Sequence, residues 1–298
     1  MTARRVLVTG AGGFVGRPLA AGLVAAGFDV VGWTGRTSSQ ANTLPVDLLD
    51  TRSVRRAMEA AGGVQTVVHL AALAHGQHPP KSETVVSANV RMVENILAAI
   101  PTSVDHLIGF SSVAVYGHVH RGPVFGLHDD LRPVTSYGKS KKLSEECFIQ
   151  AGIDLDLLRL SPVFDSGHLG DVRKRVCFPK TRLRLKFHPV PSYSLCPIDL
   201  AVAKAVELVG RGPSGQWLHQ LSAPVAYSQS ELQKWFYGPQ VSIPVATFRP
   251  FYVLARLLPG NYGDILQWSL DKLLKSNIFP TESRSLDKPF VPTHTVRG

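Results

Sequence analysis

The chain has 298 residues, of which 44% are hydrophobic and 18% charged, and its formal net charge is +10. This balance excludes a disordered chain and is typical of a globular protein with room for one large domain or two. The diffuse positive charge suits anionic ligands such as nucleotides. Because no basic stripe is interleaved with aromatic residues, nucleic acid and acidic membrane surfaces rank lower as partners.

The cysteines and histidines give no metal-binding pattern. Cys147, Cys177 and Cys196 form neither a CxxC pair nor a zinc spacing with histidine, and an odd, sparse set indicates a reducing compartment. His69 continues an apolar strand and is expected to be a core residue. We therefore predict a cytoplasmic protein with no metal. No stretch approaches the length of a transmembrane helix, so no integral membrane segment is predicted.

Strand-like and helix-like segments alternate along the first half of the chain. Short β-branched runs predict buried strands at 6–9, 29–33, 66–70, 106–111 and 156–160. Helical apolar spacing predicts helices at 18–26, 51–61, 82–100 and 136–150, the second of them starting at a Thr51 cap. Such alternation predicts an α/β fold built on a doubly wound parallel sheet.

The rhythm changes after Pro162, where prolines and short irregular runs appear. One clear helix is predicted at 197–209, with proline in its first turn. We predict one domain at 1–164 and a smaller region at 165–298 that binds substrate, with some of its elements packing back on the first domain. The apolar run Phe251–Leu258, interrupted by Arg256, is interpreted as core packing rather than as an amphipathic surface helix.

A glycine-rich turn, TGAGGFVG, follows the first predicted strand and opens a helix. Gly10, Gly13 and Gly16 supply the positive φ and the close backbone approach that a phosphate needs. The helix N-terminus then offers free N–H groups and the positive end of its dipole to a pyrophosphate. Its place at the first strand–helix junction indicates a dinucleotide site rather than a plain turn.

The end of the second predicted strand indicates which dinucleotide is bound. Thr34 stands where an acidic residue would select NAD, and Arg36 follows it. Arg36 could pair with a 2′-phosphate, and a solvated loop arginine is the competing interpretation. We therefore favour NADP(H) as the cofactor and keep NAD(H) as the alternative.

Tyr137 and Lys141 are four residues apart on the predicted helix at 136–150, so they share one face. A nearby ammonium is expected to lower the pKa of the phenol from about 10, so that it can exchange a proton with a carbinol oxygen. Taken alone, this pair is better explained by an exposed, lysine-rich helix. Ser111 and Ser112 close the preceding strand, where a hydroxyl points into the crevice of an open sheet or satisfies local backbone.

Together these pieces resemble the extended short-chain dehydrogenase/reductases, and within them the NAD-dependent epimerase/dehydratase family with its nucleotide-sugar epimerases and 4-ketoreductases. The matching segments are TGAGGFVG, Asp47-Leu48, HLAA at 69–72, Asn89-Val90, SSVAVYG at 111–117, YGKSK at 137–141, and Arg159 leading into Pro162-Val163-Phe164. SYSLCPIDLAVAKAVEL and DKPFVP match more weakly. The resemblance covers nearly the whole chain, strongly to Phe164, and implies a Rossmann sheet.

The resemblance implies roles for the matching residues. Tyr137 would be the acid/base, Lys141 would bind the nicotinamide ribose and tune Tyr137, and Ser112 would hold the substrate oxygen. Other cofactor contacts would come from Gly10, Gly13, Phe14, Val15, Gly16, Arg36, Asp47, Leu48, Leu70, Ala71, Ala72, Asn89, Ser111, Pro162 and Val163. Substrate contacts would come from Ala74, Ser112, Val113, Tyr137 and Arg184. A basic face at 182–186 would hold a diphosphate or simply be solvated.

Two departures from the family pattern narrow the reaction. Val113 and Ala114 replace the acidic pair of the dehydratases, and Pro162 replaces an asparagine of many epimerases. We therefore predict an NADPH-dependent reductase of an anionic, nucleotide-linked keto-sugar. The alternatives are a 4-epimerase with retained NAD, a reductase of a steroid-like or flavonoid-like ketone, and a weakly catalytic NAD(P)-binding sensor or scaffold. A homodimer, if formed, would use the helices at 82–100 and 136–150.

Overall fold

The computed structural model describes residues 3–35, 42–74, 79–117, 124–259 and 261–286. Its strands are β1 Arg5–Thr9, β2 Asp29–Thr34, β3 Thr43–Pro45, β4 Thr66–His69, β5 His106–Ser112, β6 Asp154–Leu160, β7 Val163–Phe164, β8 Arg184–His188, β9 Ser192–Tyr193, β10 Cys196–Pro197, β11 Gln216–Leu221, β12 Tyr227–Ser228, β13 Gln240–Pro244 and β14 Glu282–Ser285. Its helices are α1 Gly16–Ala25, α2 Thr51–Ala61, α3 Val85–Leu97, α4 Ser136–Gln150, α5 Gly170–Val176, α6 Ile198–Arg211, α7 Gln229–Gln233, α8 Arg249–Leu257 and α9 Asn261–Leu274.

An eight-stranded sheet has the order β14-β11-β6-β5-β4-β1-β2-β3. Its neighbouring strands are parallel except β14, which runs antiparallel to β11. The chain leaves β1 towards β2 and β3, and then returns to place β4 on the other side of β1. The strand order therefore reverses between β1 and β4, where the carboxyl ends of an open sheet leave a crevice for a ligand.

Both faces of this sheet are covered, as its buried strands predict. Leu7 packs into a core with α2, α3 and α4, whereas its neighbours Val6 and Val8 pack into a second core with α1 and α6. Successive side chains of a strand point to opposite faces, so one apolar run serves two cores. The predicted doubly wound α/β fold is confirmed.

The chain beyond residue 164 builds the other side of the crevice and also returns to the sheet. β8 pairs with β13, and β9 pairs with β12, with α5, α7, α8 and α9 packed around them. β11 and β14 come from the same part of the sequence and complete the large sheet. Among the described residues, no helix is both long and apolar enough to cross a membrane.

Several element ends differ from the sequence-based expectation, each for a local reason. α2 has the predicted bounds, but its cap is Asp50, whose carboxylate accepts a hydrogen bond of 2.9 Å from the Arg52 N–H. α3 is shorter than 82–100 because Thr84 and Ser87 form a reciprocal capping box that fixes its start.

The interpretation of 251–258 as core is wrong. These residues lie mostly in α8, which packs on α9 and turns an apolar face outward: Ala255 is buried, whereas Val253, Leu254 and Leu257 are exposed. The spacing of the apolar residues predicts a helix but does not show which of its sides meets a neighbour.

Candidate active site

The glycine loop between β1 and α1 leaves no room for side chains. Gly10 has φ +70°, and a Cβ on it would lie 2.9 Å from the Ala71 nitrogen. A Cβ on Gly16 would lie 2.1 Å from the Gly10 carbonyl oxygen. α1 begins at Gly16 with neither a side-chain cap nor an acidic residue in its first turn, so the start of the helix can offer N–H groups to an anion.

A crevice of about 480 Å³ opens at the carboxyl ends of β1, β4, β5 and β6. The glycine loop forms one wall, and α5 and α9 contribute to the opposite wall. The residues predicted for the site that line it are Gly10, Gly13, Phe14, Val15, Gly16, Leu70, Ala72, Ala74, Ser111, Ser112, Val113, Tyr137, Lys141, Pro162 and Val163. Two distant stretches of sequence, around residues 10–16 and 137–141, thus meet in one space.

The start of α4 brings Tyr137 against the end of β5. The hydroxyl of Thr135 caps the helix by accepting a hydrogen bond of 3.0 Å from the Gly138 N–H. A Cβ on Gly138 would lie 2.5 Å from the Ala114 carbonyl oxygen, so only glycine allows this approach. The Ser112 and Tyr137 side chains consequently form a hydrogen bond with each other.

The titration of Tyr137 differs from the expectation that Lys141 lowers its pKa. Burial, with a smaller contribution from the Asp171 carboxylate, raises the pKa of Tyr137 to about 12, whereas the hydrogen bond from Ser112 acts in the opposite direction. The Lys141 amino group donates a 2.7 Å hydrogen bond to the Phe110 carbonyl and lies 5.9 Å from the centre of the Tyr137 ring. Tyr137 is therefore a protonated phenol at neutral pH.

Lys141 is buried, and burial lowers its pKa to about 8, with the Glu145 carboxylate opposing that shift. At neutral pH the amino group remains protonated, but its affinity for the proton is far lower than that of an exposed lysine. A buried cation beside a phenol is suited to stabilising a phenolate that forms during a reaction.

A buried ionic network that the sequence analysis missed lies behind these residues. Glu145 accepts hydrogen bonds from the Arg159 guanidinium at 2.9 and 2.7 Å and from the Ser111 hydroxyl at 2.5 Å. Arg159 also donates to the Tyr116 hydroxyl at 3.2 Å. Glu145 continues the i, i+4 series of Tyr137 and Lys141 on α4, and that spacing was the signal that could have found it.

Four predicted cofactor residues do not line the crevice among the residues that the structure describes. Asn89 is buried and braces the segment after β4 against α4, with hydrogen bonds to Leu73 and to Ser140 at 2.9 Å. Leu48 packs in the core, and its carbonyl accepts a hydrogen bond from Asn95. Asp47 is exposed and Ala71 packs beside Gly10.

Arg36 and Arg184 were both predicted to bind phosphates, and the structure describes only the second of them. Arg36 lies outside the described residues. The Arg184 guanidinium donates to the carbonyl oxygens of Gly238 and Gln233 at 3.0 and 3.4 Å, and it is absent from the described lining of the crevice. Arg184 begins β8, and its donors are used within the second half of the chain.

Cations that the sequence analysis did not single out line the wall opposite the glycine loop. Arg175 on α5 is buried over the Tyr193 ring, and within the described structure its Nε has no hydrogen-bond partner. Lys272 on α9 lies 5.0 Å from the centre of the Trp268 ring. Burial lowers the pKa of Lys272 to about 8, and Arg175 contributes to this shift. The carboxylates of Asp171 and Asp271 also line this wall, but they form ion pairs with Lys174 and Lys275. A negative group that enters the crevice can therefore pair with Arg175 and Lys272.

In the described part of the chain, no group of three or more His, Cys, Asp or Glu side chains is arranged so that it could hold a metal ion. His69 is buried, and its Nδ1 lies 2.9 Å from the Thr9 hydroxyl. Burial lowers the pKa of His69 to about 3, with Lys141 adding to the effect, so this imidazole is neutral.

The fold and the site define the short-chain dehydrogenase/reductase class of enzymes. The defining features are the mostly parallel sheet with this crossover, the glycine loop, and the serine, tyrosine and lysine that meet in one crevice. The model of the NAD dependent epimerase/dehydratase family matches residues 6–174, and the chain belongs to this family.

Known proteins of the same group resemble the chain over different lengths. A dTDP-4-dehydrorhamnose reductase of Mycolicibacterium smegmatis is 31% identical over 173 residues, which are 57% of this chain and 49% of that protein. The matched region thus spans about half the length of this curated relative. A UDP-Glc/GlcNAc 4-epimerase from Campylobacter jejuni has a similar structure, with TM-score 0.68 and 17% identity over 81% of this chain and 87% of the other.

A dTDP-4-dehydrorhamnose reductase from Bacillus anthracis, solved in complex with NADP, has TM-score 0.64 and 14% identity, over 83% of this chain and 86% of the other. At such identities the structural likeness establishes the fold alone. The family and its neighbours support a nicotinamide cofactor without distinguishing NAD from NADP.

Proposed function

We propose that the protein is an NADPH-dependent reductase of a nucleotide-linked keto-sugar. The observation that carries the proposal is the convergence of Ser112, Tyr137 and Lys141 at the crevice beside the glycine loop. The similarity of the first half to a dTDP-4-dehydrorhamnose reductase supports this reaction type.

The residues present fit a nicotinamide dinucleotide. The glycine loop has no room for a Cβ at Gly10 or Gly16, and the uncapped start of α1 suits a pyrophosphate. β2 ends at the buried Thr34, which has no carboxylate to bind a ribose 2′-hydroxyl, and this favours NADPH over NADH. When bound, the nicotinamide supplies the hydride.

The chain's own residues would supply the proton and hold the ketone. Ser112 would donate a hydrogen bond to the ketone oxygen. Tyr137, whose pKa is about 12, is protonated at neutral pH and would transfer its proton to that oxygen as the hydride reaches the carbon. The Lys141 ammonium would stabilise the phenolate that remains, until water restores the proton.

The opposite wall would hold the anionic part of the substrate. Arg175 and Lys272 are two cations in a mostly buried setting, where charge-assisted hydrogen bonds to a diphosphate are strong. Trp268 and Tyr193 also line this wall and offer ring surfaces for a base or a sugar. Arg175 and Lys272 thus take the substrate-binding role that was predicted for Arg184.

The test is a titration with NADPH and with NADH, followed by nicotinamide fluorescence, and then NADPH oxidation with a panel of nucleotide-linked 4-keto-sugars. We expect tighter NADPH binding, loss of this preference in Arg36→Ala, and turnover with at least one keto-sugar. NAD that co-purifies and resists dialysis would instead favour the epimerase, and failure to bind either nucleotide would refute the proposed enzyme.

A further inference from the structure

An apolar face on α8 has no covering element in the part of the chain that the structure describes. Val253, Leu254 and Leu257 lie three and four residues apart on one side of the helix, and each is between 46% and 76% exposed. Phe251 lies at the edge of this side, and Tyr262 and Ile265 extend the surface onto the start of α9. We call these six residues the α8 face.

The opposite side of α8 is well anchored, so the helix is not loosely attached. Ala255 is buried, and Tyr252 packs into the core formed by α9, β8 and β13. The Tyr252 hydroxyl donates a 2.9 Å hydrogen bond to the Asp271 carboxylate. The apolar residues of the α8 face are therefore held outward by the packing of their own helix, and a contiguous exposed set of this kind marks an interaction surface.

The charge beside the α8 face is mainly positive, and Asp264, between Tyr262 and Ile265 in the first turn of α9, is the exception. From residue 232 to residue 263 the sequence contains no Asp or Glu, whereas it contains Lys234, Arg249 and Arg256. Arg249 and Arg256 are exposed on α8 itself, on one flank of the apolar side chains. An apolar helical face with basic residues beside it is the pattern of a helix that lies in the headgroup region of an anionic membrane.

We propose that the α8 face binds the surface of an anionic lipid bilayer, with its apolar side chains inserted at the acyl boundary and Arg249 and Arg256 among the headgroups. A second copy of the chain is a poorer fit. In a symmetric contact the same face meets itself, which would bring two arginines from each copy into the contact against one exposed carboxylate, Asp264, from each. From the sequence alone, an acidic membrane surface ranked below nucleotides as a partner of this chain. For the α8 face we place the membrane surface first.

Vesicle sedimentation of the full chain tests the proposal. The vesicles contain phosphatidylcholine alone or phosphatidylcholine with 30% phosphatidylglycerol. We expect binding to the anionic vesicles, and a loss of about tenfold or more in the Val253→Ser/Leu257→Ser variant, because two apolar side chains no longer insert. Val225→Ser is the matched control, since Val225 is 76% exposed outside the α8 face.

A second variant tests the charge. Arg249→Gln/Arg256→Gln should bind anionic vesicles about tenfold more weakly and show a smaller dependence on salt, whereas its thermal unfolding stays unchanged. NADPH titration of every variant verifies the fold and reports on the proposed reductase separately, because vesicle binding does not require the cofactor.

Three results would overturn the proposal. They are the absence of vesicle binding by the unaltered chain, equal binding by the serine variant, and a concentration-dependent dimer that the serine variant dissolves. The last result would assign the α8 face to a second copy.

Discussion

Two carboxylates are buried at opposite ends of the central sheet, and both are held by arginine. Glu145 lies at the carboxyl end of β5 with Arg159 and Ser111, and it is 3% exposed. Asp156 lies towards the other end, where it is 1% exposed and accepts hydrogen bonds from His106, His219 and Arg211 at 2.6–2.8 Å. Burial, arginine pairing and short hydrogen bonds are thus common to both.

The two clusters differ in the residues that surround them. Glu145 shares one face of α4 with Tyr137 and Lys141, and its partner Ser111 lines the crevice. None of the Asp156 cluster lines the described crevice, and its members instead tie β5, β6, β11 and α6 together. Similar electrostatics therefore serve a proposed reaction at one end of the sheet and stability at the other. The predictions that follow test this separation.

The largest effect is expected at the crevice itself. Tyr137→Phe should lower kcat by about 10³-fold, because the proton donor is lost, while its NADPH affinity stays near that of the unaltered protein. Steady-state kinetics and NADPH titration measure the two quantities, with Tyr237→Phe, an exposed tyrosine, as the matched control. Full activity in Tyr137→Phe would refute the assigned role.

Asp156→Asn should reduce the free energy of unfolding by about 3 kcal/mol, because the Arg211 charge loses its buried partner. The hydrogen bonds from His106, His219 and Arg211 hold the pKa of Asp156 well below its usual range. Because the pKa of an unfolded aspartate is about 3.9, the stabilisation is complete above about pH 5 and declines at more acid pH. Urea unfolding measures both effects, and Asp130→Asn, in an exposed pair, should change stability by less than about 0.5 kcal/mol. A reduced kcat in folded Asp156→Asn would contradict the separation.

Glu145→Gln should lower kcat by about tenfold and move the alkaline limb of the pH–rate profile to lower pH. The Glu145 carboxylate raises the pKa of Lys141, so its removal lets the ammonium lose its proton below pH 8. The profile of Asp156→Asn should not move. Identical profiles for Glu145→Gln and the unaltered chain would show that the network has only a structural role.

The smallest effect per measured step concerns Lys141 and the change of stability with each unit of alkaline pH. Its pKa is about 8 in the folded chain, against about 10.4 when unfolded, so between these values the unfolded state binds more protons. Stability should therefore rise with pH by about 1 kcal/mol per pH unit relative to Lys141→Met. Unfolding free energies measured at pH 7, 8, 9 and 10 give this difference, which a constant offset would disprove.

Local sequence patterns predicted the elements well and their environments poorly. The bounds of α4 and α2 were predicted correctly from local sequence signals, although the cap of α2 is Asp50 and not Thr51. The Glu145–Arg159 pair was missed because it depends on the register of β6 beside β5, which is a long-range property.

The walls of the crevice likewise include residues that no local sequence pattern predicts. The glycine loop and the residues on α4 were predicted from contiguous motifs, whereas Arg175 and Lys272 come from separate helices almost one hundred residues apart and carry no joint pattern. The exposed side of α8 was misjudged because helical spacing is the same whether a neighbour or solvent covers the apolar residues.

Because Gly138 approaches Ala114 closely, the wall of the crevice at the start of α4 tolerates few substitutions. The wall formed by α5 and α9 has no such constraint. Any side chain at position 138 would displace the start of α4 from the turn that follows β5, so substitutions of Gly138 should yield mostly inactive clones. Arg175, Trp268 and Lys272 stand on helices outside the large sheet, where substitutions leave that constraint untouched. A directed-evolution library for new carbonyl substrates should therefore randomise these three positions and keep 135–141 constant.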